Sequence, residues 1–207
     1  LFSFTLAFIL YWALLAAFSS ETSDTVAQSV AANLAHSGVS NPDNAVLLNF
    51  RAYDTFLELA VLLTAILGIF ALSEERAVYL PAGAVFNGRA SWLVPALILM
   101  AGYLLWVGAH APGGAFQAGA VLAAAGVILR LAGRRNIGLP IGSTLYLNIT
   151  LLIGVALFLL VGLSKRVNGR PFLGYPPAIA GKLILLIESA AMISIAATLI
   201  LAFIGGR

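Results

Sequence analysis

The fold is decided around the stretch Gly108-Ala-His-Ala-Pro-Gly-Gly-Ala-Phe-Gln-Ala-Gly119, which separates two long apolar runs. Glycine and proline at this density end a helix. Between segments of membrane length, backbone that leaves the helix must be hydrogen-bonded within the protein or to water. The stretch therefore predicts a turn between two membrane helices. Because it contains His110, two interpretations stay open: ion or proton chemistry at the turn, or a turn that serves only close helix packing.

The composition assigns the chain to the integral membrane proteins. Of its 207 residues, 61% are hydrophobic and 9% are charged, whereas charged residues make up about 25% of an average soluble domain. The net charge of +3 is small and the basic residues are scattered, so no nucleic-acid partner is expected. The chain has no cysteine, which excludes cysteine-ligated iron–sulfur and zinc sites, and its two histidines lack metal-ligand spacing. No cofactor and no metal are expected.

Six apolar segments approach the length of about 20 residues that crosses a hydrocarbon core. They cover residues 1–18, 47–72, 92–109, 115–133, 143–163 and 179–204. The sequence therefore predicts an all-α integral membrane protein with about six transmembrane helices. The first segment is interpreted as one of these helices rather than as the core of a signal peptide.

A polar link, residues 19–46, follows the first span. Within it, Val26, Val30 and Leu34 recur every four residues and Gly38 can end a helix. A short amphipathic helix is expected here, lying on the membrane face or on a partner protein. The link contains no lysine or arginine, which favours its translocation to the outside of the membrane.

Glu58 is expected to lie inside the membrane. The apolar run from Leu59 to Leu72 has 14 residues, or roughly 21 Å, which is short of a core of about 30 Å. The span must therefore include Glu58, with Asp54 one turn nearer the surface and Arg51 at the interface. Helical spacing puts these three on one face. Ionisable groups in spans are costly and face a polar path or a partner, which favours proton or ion handling by Glu58; Arg51 and Asp54 either share that role or form a structural pair.

Glu188 is the second acidic group expected within a span. It follows Lys182 by six residues, which is not a same-face spacing. We therefore expect its partner to come from another helix, the candidates being His110, Arg51 or a group of a different protein of the complex. Both a place on an ion pathway and structural pairing remain open for it.

Small residues in the turn allow close approach of helix backbones. Gly113, Gly114 and Gly119 explain tight packing of a helical hairpin without any chemistry. Histidine is the residue type most often used for proton transfer near neutral pH, and His110, the one histidine of the turn, is kept as a candidate on a proton path.

Two motifs resemble the Mrp-type multi-subunit sodium/proton antiporters. The stretch from Gly108 to Gly119 resembles the Pro-Gly-Gly-Gly-Phe signature of their MnhB-like component, with Ala115 in place of the third glycine and His110 one position later than the family histidine. The segment Val46-Leu-Leu-Asn-Phe-Arg-Ala-Tyr-Asp-Thr-Phe-Leu-Glu58 resembles the Asn/Asp-Phe-Arg-Gly-x-Asp-Thr-x-x-Glu pattern, with alanine for its glycine. That pattern ends the large component of the same antiporters and recurs in a small membrane component of energy-converting membrane-bound hydrogenases. The last helix, with Glu188, resembles the closing helix of the MnhB-like component.

The resemblance implies two fused modules. Residues 1–80 are similar to the end of the large antiporter component or to the small hydrogenase component, and residues 90–207 are similar to the MnhB-like component. It implies a non-catalytic membrane subunit in a prokaryotic cell membrane, with other membrane subunits of an Mrp-type or complex-I-like assembly as partners and Na⁺ or H⁺ as the transported ions. Depth and spacing then favour a mechanism in which Glu58, with Asp54 and Arg51, gates proton or cation passage near the outer face, and in which Glu188 lines the same interface.

Two alternatives stay open. One is the membrane arm of a redox-driven ion-pumping complex of the hydrogenase or respiratory type, and the other is a purely structural scaffold. An autonomous transporter is least expected, because the six segments show no internal repeat and no pair of discontinuous helices.

Overall fold

Helices make up all the regular structure of the described residues. The structure, a computed structural model, describes residues 2–19, 25–72, 82–134, 137–140, 143–167 and 172–205. In chain order the helices are α1 (Phe2–Ser19), α2 (Thr25–Ser37), α3 (Pro42–Ala45), α4 (Ala52–Leu72), α5 (Ala84–Val107), α6 (Ala115–Leu131), α7 (Thr144–Val167) and α8 (Ala180–Ile204). A π-helical turn, Val46–Phe50, joins α3 to α4, and a 3-10 turn, Pro177–Ile179, precedes α8. The predicted all-α membrane fold is confirmed.

Four helices of the described residues are long and apolar enough to cross a membrane. They are Ala52–Leu72, Ala84–Val107, Thr144–Ser164 and Pro177–Ile204, while Phe4–Leu15 and Ala115–Leu131 are shorter apolar helices. All six predicted apolar segments thus contain a helix, and α6, with 17 residues, is shorter than a full span.

The span predicted at 92–109 is longer than its apolar core indicated. α5 already begins at Ala84, because the polar residues before the apolar run are accommodated within the helix. The Asn87 amide donates to the Ala82 carbonyl and the Ser91 hydroxyl donates to the Asn87 carbonyl. These two bonds pair both polar side chains with backbone carbonyls at the start of the helix.

Residues 1–33 and 34–207 form two compact units. In the first unit, α1 exposes large apolar side chains such as Phe4, Phe8 and Trp12, as expected of a helix surrounded by lipid. The second unit contains the last turn of α2 and helices α3 to α8, and the candidate site lies within it.

Helix α8 is the packing centre of the second unit. Ile184, Ile187 and Ile195 are buried in one apolar cluster. Lipid is as apolar as these side chains, so van der Waals packing, helped by small residues, holds such helices together. Gly119 of α6 shows this, because a Cβ atom there would lie 2.8 Å from Cγ2 of Ile195.

The end of α2 also packs on α8. Gly38 has a φ of 84°, as the sequence predicts for the residue that ends this helix. A Cβ atom at Gly38 would meet the Cβ of Ala180 and the backbone nitrogen of Gly181. Leu34 is half-buried against the main apolar cluster. The last turn of the amphipathic helix is therefore covered by its own chain, and this contact directs residues 39–45 across the start of α8.

Candidate functional site

The helix expected from residue 47 to residue 72 is interrupted at its start. The π-helical turn ends at Phe50, and Arg51 (φ −125°, ψ 32°) leaves the helical conformation before α4 begins. Inside this break the Thr55 hydroxyl donates to the Leu47 carbonyl at 2.6 Å. The wider hydrogen-bond spacing of a π-turn frees a carbonyl from the regular ladder, and Thr55 pairs with it. Thr55 is consequently buried at the entrance of α4.

The glycine-rich turn is held by the residues before α3. The side-chain amide of Asn41 donates to the carbonyls of Gly108 and Ala111 at 3.0 and 2.9 Å. The backbone N–H groups of Ser40 and Asn41 both donate to the Ala109 carbonyl. The last carbonyls of a helix have no partner within it, and this segment supplies partners where α5 ends.

Glu188 belongs to α8, and its side chain lies at the N-terminus of α6. It is 2% exposed, and its Oε2 accepts a hydrogen bond from the Asn44 side-chain amide at 3.3 Å. The backbone N–H of Ala115, the first residue of α6, also donates to it. Gly114, which precedes α6, has no capping side chain. Glu188 therefore caps α6 from another helix and places its carboxylate at the positive end of the α6 dipole.

This contact needs a glycine at position 114. Gly114 has a φ of 109°, a conformation that residues with a Cβ atom rarely adopt. A Cβ atom at this position would lie 2.8 Å from Oε1 of Glu188. The glycines of the turn thus serve packing, as the sequence indicated, and one of them also makes room for a carboxyl group.

Glu58 and Glu188 line one cavity of about 310 Å³. The other polar side chains on its wall are Asn41, Asp43, Asn44, Thr55 and Gln117. The wall also includes the backbone of Gly113 and Gly114 and the buried ring of Phe158. A cavity of this size with several polar partners can hold water. Two carboxyl groups from different helices therefore face a common polar space.

Arg51 and Asp54 form the ion pair that their spacing predicts. Their Nη2 and Oδ2 atoms are 2.5 Å apart, and the two side chains are 71% and 47% exposed. They are not among the residues that line the cavity. An exposed pair of this kind contributes about 0–1 kcal/mol in water. The pair lies at the start of α4, and Glu58 lies one turn further along the same helix.

The expectation that His110 or Arg51 pairs with Glu188 is wrong for the described residues. His110 is exposed, and its ring lies 6.0 Å from that of Trp106, centroid to centroid. Arg51 pairs with Asp54 instead. Asn44 and the Ala115 N–H satisfy Glu188 without a cation, because a helix N-terminus provides partial positive charge.

Sequence reasoning missed the neutral polar residues of the cavity. Asn41 and Asn44 belong to Asn41-Pro-Asp-Asn44, which has the pattern of an ordinary turn, and Thr55 and Gln117 carry no charge that marks them. The sequence did contain one indication. An asparagine-rich turn and a glycine-rich turn both adjoin membrane spans, where backbone groups outside a helix must be hydrogen-bonded.

Comparison with known proteins identifies a family for more than half of the chain. A family model described as a domain related to the MnhB subunit of Na⁺/H⁺ antiporter matches residues 85–206. No curated protein matches the chain significantly.

Two solved structures share the fold. One is a chain of the Mrp complex from Dietzia sp. DQ12-45-1b, with a TM-score of 0.65 and 24% identity over 99% of this chain and 25% of that chain. The other belongs to the membrane-bound sulfane sulfur reductase, an archaeal respiratory membrane complex, with a TM-score of 0.67 and 22% identity over 93% of this chain and 94% of that chain. The present chain thus spans about a quarter of the Mrp chain that it matches and nearly all of the second one.

Proposed function

Because the chain belongs to the family of domains related to the MnhB subunit of Na⁺/H⁺ antiporters, we propose that it is a membrane subunit of a multi-subunit cation/proton antiporter-type complex. Its setting is the cell membrane of a prokaryote, and its partners are other membrane subunits. The proposal includes the two modules, residues 1–80 and 90–207. It assigns transport or coupling to this chain and catalysis to none of its residues.

The observation that carries the proposal is the shared cavity of Glu58 and Glu188. Carboxyl groups inside spans are costly and are kept where they face a polar path or a partner. Here both carboxyl groups face the same polar space from different helices. Water in that space can pass protons between them, so we assign the cavity to the proton or cation path.

Glu188 is the buried proton- or cation-binding group of this path. Asn44 donates to its Oε2, and the Ala115 N–H also donates to this side chain. These donors fit the ionised carboxylate, while the cavity lets a proton or a cation reach it. Binding of a proton or a cation to Glu188 would also weaken its hydrogen bond to the start of α6. The charge of Glu188 is therefore coupled to the structure of the glycine-rich turn.

Glu58 is the proton- or cation-binding group nearest the entrance of the path, and Arg51 and Asp54 lie beside it at the start of α4. Glu58 is exposed yet lines the cavity, so it connects the space to the outside of the described chain. The Arg51–Asp54 pair sets the charge near this entrance. His110 is not among the residues that line the cavity, and we keep it as a candidate on the path only for its position in the glycine-rich turn.

The test is cation/proton exchange by the intact complex in vesicles. Glu58→Gln and Glu188→Gln are each expected to reduce exchange strongly while the complex still assembles. Matched controls lie on the same helices: Thr64→Ala and Ser189→Ala remove hydroxyls that bond only to their own helix. Exchange that stays at the wild-type rate in both glutamine variants would sink the proposal.

A second candidate function is the membrane arm of a redox-driven ion-pumping complex. It is favoured by the fold likeness that extends over 94% of the chain from the sulfane sulfur reductase complex. Purifying the chain with its native partners and identifying them by mass spectrometry separates the two. A metal-containing redox protein among the partners decides for the second function.

A purely structural role predicts a different pattern of variants. In that case the glutamine variants are silent, while bulky residues at Gly113 or Gly119 prevent assembly. Gly119 packs on Ile195 and Gly113 approaches the Leu104 carbonyl, so both positions are sensitive whichever function is correct. Only the response of exchange to Glu58→Gln and Glu188→Gln separates a scaffold from a path.

A further inference from the structure

A second cavity lies at the opposite end of the α5–α6 hairpin from Gly114. It has a volume of about 600 Å³ and opens between the first turns of α5 and the end of α6. Its polar wall consists of Asn87, Ser91 and Arg134, and its apolar wall includes Val94, Pro95 and Leu129. We call it the hairpin groove. None of its residues takes part in the site described above.

The polarity of the hairpin groove changes along the helix axis. Arg134 lies just beyond the end of α6, and Asn87 lies in the first turn of α5. Val94 is ten residues into α5, or roughly 15 Å along its axis. The ends of spanning helices lie at the membrane surface, where lipid phosphates are found, and the deeper turns lie among the acyl chains. The groove therefore passes from a basic, polar opening to an apolar floor, as the headgroup and chain of a phospholipid do.

Among the described residues, the charge at this end of the α5–α6 hairpin is positive. Arg89, Arg130 and Arg134 all belong to the ends of α5 and α6 that meet here. The described carboxylates of residues 34–205 lie elsewhere: Asp43, Glu58 and Glu188 line the other cavity, and Asp54 pairs with Arg51. Basic pockets between membrane helices recognise anionic lipid headgroups.

We propose that the hairpin groove binds an anionic phospholipid. Arg134 contacts the phosphate at the opening, and one acyl chain lies along Val94, Pro95 and Leu129. The occupant is a lipid rather than a free anion, because five of the eight residues that line the groove are apolar and this apolar wall continues into the depth of the membrane. This site is independent of the carboxyl groups and of the ion path.

The test measures lipid binding to the purified complex by native mass spectrometry. Phosphatidylglycerol and phosphatidylcholine with identical acyl chains are added separately, and phosphatidylglycerol is expected to bind more tightly. Arg134→Gln should weaken this preference about fivefold, the effect of one basic residue near an anionic headgroup. Arg89→Gln is the matched control, because it removes one positive charge at the same end without lining the groove, and its preference should remain at the wild-type value.

Two further arms identify the occupant. Ser91→Trp fills the groove without changing charge and should reduce binding of both lipids, whereas soluble glycerol phosphate should not displace bound phosphatidylglycerol. A photo-crosslinker at position 91 should capture lipid. Equal binding of the two lipids to the wild type, an Arg134→Gln variant indistinguishable from Arg89→Gln, displacement by glycerol phosphate, or capture of a protein segment would each overturn the proposal.

Discussion

Gly114 and Glu188 meet where α6 begins, and the absence of a side chain on the first lets the carboxyl group of the second reach the helix end. A Cβ atom at position 114 would lie 2.8 Å from Glu188 Oε1. The glycine-rich turn and the buried carboxyl group are therefore parts of one structural unit, although 74 positions separate them in the sequence.

Gly114→Ala is expected to impair both stability and exchange. The substitution forces a residue with a Cβ atom to a φ of 109°, at a cost of about 1–3 kcal/mol, and pushes Glu188 from its donors. Thermal unfolding of the purified complex and exchange in vesicles measure the two effects. Gly102→Ala is the control, because a Cβ atom there meets nothing within 4 Å; equal behaviour of the two variants would contradict the assigned contact.

Asn44→Leu should destabilise the protein through Glu188. The substitution removes a donor from a buried carboxyl group, and a hydrogen bond to a charged group is worth about 1.5–3 kcal/mol. We expect a lower midpoint of thermal unfolding and slower exchange, with a smaller loss of exchange than in Glu188→Gln. Asn33→Leu serves as the control, since its amide donates only to Ser29 on an exposed helix face. If Asn44→Leu loses as little as Asn33→Leu, Asn44 does not position Glu188.

Glu58→Gln and Glu188→Gln should not act additively. A positioned proton-transfer group contributes about 100-fold or more to a rate, so each single variant is expected to lose most of the exchange activity. If both groups serve one cavity, the double variant should be no more than about threefold slower than the worse single variant. The measurement is the initial rate of exchange in vesicles for all four proteins. Losses that multiply would show that the two carboxyl groups act on separate paths.

Thr55→Val should destabilise the break before α4. The substitution keeps the size and branching of the side chain but removes a part-buried hydrogen bond to the Leu47 carbonyl, which is worth about 0.5–1.5 kcal/mol. Thr64→Val on the same helix loses only an exposed bond to Ala60 and should stay close to the wild type. Chemical or thermal unfolding of both variants compares their stabilities directly. If Thr55→Val is as stable as the wild type, the Thr55 hydroxyl does not stabilise this break.

The sequence predicts features that depend on neighbours along one helix. Arg51 and Asp54 are three residues apart, and this spacing alone places them in reach of each other; the structure shows their ion pair. The need for a span longer than Leu59–Leu72 likewise places Glu58 inside α4, which is one of the four helices long enough to cross a membrane. Gly38 ends α2 with the positive φ that its residue type allows.

Features that depend on which helices pack together were not predictable in this way. Spacing indicated that Glu188 needs a partner from another helix, but a charged partner was expected, and the structure supplies Asn44, 144 residues away, and a backbone N–H group. Neither has a sequence pattern that points to a carboxyl group. The roles of Glu58, Asp54, Arg51, Glu188 and His110 in ion movement stay predictions, as does the division at residues 80–90.

The sequence by itself determined that this protein is an all-α membrane protein, because apolar content and segment length decide what a bilayer accepts. It also determined the turn at Gly108–Gly119, because glycine and proline end helices wherever they cluster. Only the tertiary structure decided that this turn presents the start of α6 to Glu188 and that Glu58 faces the same cavity. The physical reason is that helix periodicity depends only on residues close together in the sequence. The packing of α4, α6 and α8 depends instead on how the small and large side chains of different helices fit together.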